Sequence, residues 1–105
     1  MSSDTKRLLL EFDRQMRQIN RETLNPMIEE LSVSDLAPVV RMVAAARGNY
    51  INELIELAKS TDGQVPEDQQ IKSLHLSRQR YEALVNASQA LETAIKRGYL
   101  DVKHG

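Results

Sequence analysis

Cysteine and tryptophan are absent from this 105-residue chain, and histidine appears only twice. Without cysteine there is no disulfide scaffold, no thiolate nucleophile and no cysteine-ligated zinc. Four glycines, three prolines, three tyrosines and one phenylalanine are too few for a turn-rich, all-β architecture. No run approaches the roughly 18 apolar residues that cross a bilayer. The N-terminal segment also lacks the apolar core of a signal peptide, because Leu8–Leu10 is followed at once by Glu11 and Asp13. A cytoplasmic protein with no membrane contact is the expectation. An excess of one charge sign is missing too, with 14 Lys and Arg against 15 Asp and Glu. The balance holds in each third of the chain, so a broad footprint for nucleic acid is not expected.

What remains is rich in Leu, Ala, Glu, Gln, Arg and Met, which favour helix. Leu9, Phe12, Met16 and Ile19 recur at steps of three and four, predicting a helix over residues 4–24 with a narrow apolar seam. Its other side carries Arg7, Arg14, Arg17 and Arg21, the most coherent charge pattern in the sequence. Asn25-Pro26 predicts an interruption, with a short helix over 26–31 or a kinked continuation. Ser34 and Asp35 mark the start of a central helix over 35–59. Its stripe runs through Leu36, Val40, Val43, Arg47, Tyr50, Leu54 and Leu57 without a reset at Gly48. Ala44, Ala45, Ala46 and Gly48 then predict close approach of a neighbour. Gly63 suits a turn, Pro66 opens a third helix over 66–97, and Gly98 suits its C-terminal cap. The tail then covers residues 98–105, with Tyr99 folding back on Ala94 or Ile95 and residues 100–105 expected to be loose.

These elements describe one all-α domain over residues 1–105, an antiparallel three-helix bundle running up, down and up. Val39, Met42 and Val43 on the central helix exceed what two neighbours can cover, which predicts self-association or a protein partner.

Chemistry is sparse. There is no glycine-rich phosphate loop, no HExxH and no Gly-x-Ser-x-Gly turn. His75 stands alone on the third helix and reads as a boundary residue. Glu53 and Glu56, three apart on one helical face, suit a divalent cation with substrate phosphates. That spacing resembles the metal-binding carboxylates of the all-helical nucleotide pyrophosphohydrolases. The resemblance is partial, since Glu67 is followed three residues later by Gln70 where that family carries a second acid. A metal-dependent hydrolase is therefore one alternative, and a nucleic-acid-binding bundle using Arg14, Arg17 and Arg21 is another.

The expected function is non-enzymatic: a small helical interaction module acting as adaptor, regulator or accessory chaperone. In size, helicity and lack of cysteine the chain resembles small bacterial flagellar and type III secretion chaperones, without a shared motif. No metal or cofactor is expected. The residues assigned to partner contact are Val39, Met42 and Val43, with Arg14, Arg17 and Arg21 on the charged face.

Overall fold

The computed structural model describes residues 2–103. Three helices follow in the expected order, α1 (Ser3–Met27), α2 (Val33–Thr61) and α3 (Asp68–Lys96). Among the described residues none of the helices is long and apolar enough to cross a membrane.

Each helix end has a local cause. The Ser2 side chain accepts the Thr5 N–H and caps α1. Ser32 and Asp35 form the return half of a capping box, the Asp35 carboxylate accepting the Ser32 N–H at 2.8 Å. That bond and a second one from the Ser32 hydroxyl hold the Asp35 carboxyl below its usual range. The start of α2 thus lies two residues before the expected Asp35. Gln70 plays the same role for α3, its side chain accepting the Glu67 N–H.

At the other end of α3, Gly98 adopts φ 72°, Gly98 N–H bonds Ile95 C=O, and Tyr99 N–H reaches Ala94 C=O. This is the Schellman geometry expected of a C-terminal glycine. The end of α2 repeats it with Asp62 at φ 51° and Gly63 at φ 79°.

Pro26 did not divide the first helix. It falls in the last turn of α1, which ends at Met27, and no separate helix forms over 26–31. A proline so near the end removes a single ladder bond, which limits its disruption.

The chain forms two compact units: residues 1–35 with 91–105, and residues 36–90. In the first, the C-terminal turn of α3 and the segment after it pack on the second half of α1. Ala94, Tyr99 and Leu100 are its buried core, joined by Leu24, Ile28, Leu31, Ile95 and Val102. A parallel bridge pairs Leu31 with Val102 through Leu31 N–H to Asp101 C=O and Lys103 N–H to Leu31 C=O. The expected loose tail is therefore wrong for residues 100–103, since Leu100 is buried beside Tyr99 and Ala94 and Val102 packs against them; residues 104 and 105, including His104, lie outside the described residues.

The second unit is an antiparallel hairpin of α2 and α3. Tyr50 and Tyr81 meet with ring centroids 6.0 Å apart. The Arg47 guanidinium lies 5.4 Å from the Tyr81 ring centre and donates to its hydroxyl. Leu36, Val39, Val43, Tyr50, Leu57, Leu74, Tyr81 and Leu84 are half-buried, and no side chain of this unit is fully buried. Two helices have one mutual face and cannot enclose a core. Leu54 of the expected stripe, with Ile51 and Ile55 near it on α2, stays about half exposed.

Gly48 also departs from expectation. A Cβ built there meets nothing within 4 Å, so no neighbour approaches it. Gly48→Ala is expected to stabilise the hairpin by about 0.5–1 kcal/mol through helix propensity alone, read as a higher urea midpoint.

Candidate functional site

Small side chains on both helices of the hairpin open a groove between them. Met42, Ala45, Ala46 and Asn49 from α2 and Ser77, Arg80, Ala83 and Leu84 from α3 line a cavity of about 480 Å³. Three of the eight are alanine, which ends at Cβ and leaves the space above it empty. The floor is apolar, with polar groups at Asn49, Ser77 and Arg80 along its length. Among the described residues Arg80 makes no ion pair, and it acts on Glu53 only through its field.

Glu53 sits one step along the same seam. It accepts hydrogen bonds from the Ser73 hydroxyl at 2.7 Å and from the Ser77 hydroxyl. Ser77 first, then Ser73, hold its carboxyl below the ordinary carboxylate range. A lowered pKa means the folded state favours the ionised form. The stability it contributes is complete above the ordinary value of 4.5 and is lost as pH falls through the lowered one. Glu53→Gln is expected to lower stability at neutral pH and to converge with the parent as pH falls through the carboxylate range, so that the acid limb measured by thermal melts is flatter.

Glu56 forms an ion pair with Lys59 at 3.7 Å and lines a shallow pocket together with Glu53, Gln70 and Ser73. Glu53 is held there by serine hydroxyls and Glu56 by an ammonium. Among the described residues no group of three or more His, Asp or Glu side chains is placed to hold a metal ion.

The assigned partner residues are divided by the structure. Met42 is half exposed and lines the groove, whereas Val39 and Val43 are half-buried. The arginine row is engaged within its own unit. Arg14 donates to Glu11 and Gln18, and Arg17 pairs with Asp13 at 3.2 Å. Arg21 straps the C-terminal segment, donating to Gly98 C=O and to Asp101, each at 2.8 Å. The Arg14 pairing pulls the Glu11 carboxyl down to about 2.

Comparison with models of known protein families, with curated proteins and with solved structures gives no match. The groove therefore carries the functional reading by its own chemistry. The sequence pattern marked Ala45 and Ala46 as permitting close approach of a neighbour and did not assign Asn49, Ser77, Ala83 or Leu84 to a binding site. The available signal was the facing of alanines on two antiparallel helices, visible only once their register is known.

Proposed function

We propose that this protein is a non-enzymatic helical interaction module whose α2/α3 groove receives the apolar face of a partner helix. The observation that carries it is the alanine-walled groove itself: Ala45, Ala46 and Ala83 face space that no described side chain fills. An amphipathic helix binds such a groove by placing large side chains where the walls are small. Each Leu or Phe side chain fully buried there contributes about 1.5–3 kcal/mol. Arg80 and Asn49 would then fix the register and select against partners of the wrong charge. Adaptor, regulator and accessory chaperone are roles that share this mechanism, and a cytoplasmic location belongs to the same reading.

The test places a carboxylate in the groove, using Ala45→Glu with Ala83→Glu. Both positions are exposed, so helix content and melting are expected to stay near parental. Binding would bury the new charges in an apolar contact, at a cost that abolishes it. On native separation of cell extract the parent is expected to run in a complex and the double variant at its own mass. Identical migration of the two overturns the proposal.

A further inference from the structure

We infer that the helix received by this groove is α1 of a second copy of the same chain; this rests on reading the groove as a helix-docking site. The first half of α1 carries an apolar stripe that nothing in the structure covers. Leu8 is 71% exposed, Leu9 52%, Phe12 61% and Ile19 57%. Leu8, Phe12 and Ile19 follow at steps of four and seven, which places them on one side of the helix with Leu9 beside them.

Two features match this stripe to the groove. The first is volume. The stripe presents leucine, phenylalanine and isoleucine, and the groove walls present alanine, the alternation of large and small that lets facing helices interdigitate. The second is charge. Asp4 and Glu22, neither in an ion pair among the described residues, lie along one edge of the stripe with Glu11, which already pairs with Arg14. Arg80, without an ion pair among the described residues, is the only charged side chain lining the groove. An acidic-edged helix entering beside it gains a partner for that cation.

The experiment uses the full chain and light scattering, with two variants that break opposite halves of the contact. Leu8→Asp with Phe12→Asp spoils the stripe and leaves the groove intact. Ala83→Trp fills the groove and leaves the stripe intact. The parent is expected to scatter as a dimer, and each variant alone to associate about a hundredfold more weakly. Mixing the two variants is expected to restore pairs, because the stripe of one still fits the groove of the other. If the acidic pair unfolds α1 by circular dichroism, Leu8→Ser with Phe12→Ser replaces it. A parent that stays monomeric at every concentration overturns the inference, as does a dimer that survives Ala83→Trp or a mixture that fails to pair. Such a failure is separable from failure of the docking reading. If the parent is monomeric yet Ala45→Glu with Ala83→Glu still removes its complex in cells, the groove docks a helix from another protein.

Discussion

Leu100→Ala is expected to cost about 3 kcal/mol, within the range of leucine deletions from packed cores. Leu100 is the most buried residue described, 3% exposed, although it lies beyond the end of α3. It belongs to the cluster with Ala94 and Tyr99, against which Leu24, Ile28 and Leu31 pack from the other side. The cavity left by truncation cannot be refilled locally. The Schellman turn at Gly98 and the Leu31–Val102 bridge fix the backbone on both sides of it. The loss falls on the unit formed by residues 1–35 and 91–105, so it is best read by hydrogen exchange. Amides of the last turns of α1 and α3 lose protection together. The control is Met27→Ala, at a site 76% exposed and outside the apolar stripe, expected within about 0.5 kcal/mol of the parent. Equal effects of the two substitutions would return residues 100–103 to the status of a loose tail.

Tyr81→Ala is the second large effect, expected to cost about 2 kcal/mol in the hairpin. Tyr81 is the residue on which α2 and α3 converge. Its ring meets Tyr50, worth about 0.5–1.5 kcal/mol beyond area, and lies under the Arg47 guanidinium, worth about 0.5–1 kcal/mol at a partly exposed site. A half-buried ring adds hydrophobic area on top of both. The unit has no fully buried side chain to compensate. Tyr81→Phe separates the contributions, since it keeps the ring and removes only the hydroxyl that accepts from Arg47, at about 0.5–1 kcal/mol. Urea titration followed at α2 and α3 amides checks both. A Tyr81→Phe loss as large as that of Tyr81→Ala would show that the hydroxyl, not the ring, joins the helices.

Local chemistry was legible in the sequence and distant pairing was not. The ends of α2 and α3 follow from Gly63 and Gly98, because a positive φ is a property of one residue and its neighbours. The α1 seam was misread by a partial turn. Leu9, Phe12 and Ile19 are exposed, while Met16, Asn20, Leu24 and Ile28 are half-buried. The segment that selects this face, residues 99–102, lies some seventy residues further along the chain and leaves no trace in the periodicity of α1. The apolar residues Tyr99, Leu100 and Val102 in so short a terminus were the one available hint.

The arginine row shows the same limit. Its spacing was read correctly, but Arg21 turns out to strap residues 98–101, and Arg14 and Arg17 meet carboxylates of their own helix. Surface pairs of this kind contribute at most about 1 kcal/mol each, so their effect is to orient the termini more than to stabilise them. Of the candidate site, Met42 was legible because an apolar residue on a crowded helix is conspicuous. The alanines opposite it were not. Alanine favours helix wherever it stands, and whether it admits a neighbour or leaves a gap depends on tertiary register.

The central claim is that a helix occupies the space between Ala45 and Ala83, and site-specific photo-crosslinking in the native cell measures this directly. With a benzophenone side chain in place of Ala83, the account predicts one discrete covalent adduct. The same group in place of the exposed Gln79, which does not line the groove, is the control and is expected to give none. Mass spectrometry of the adduct then identifies the occupant, with residues near Phe12 of a second copy as the expected site. No adduct from position 83, or an equal yield from position 79, would contradict the account.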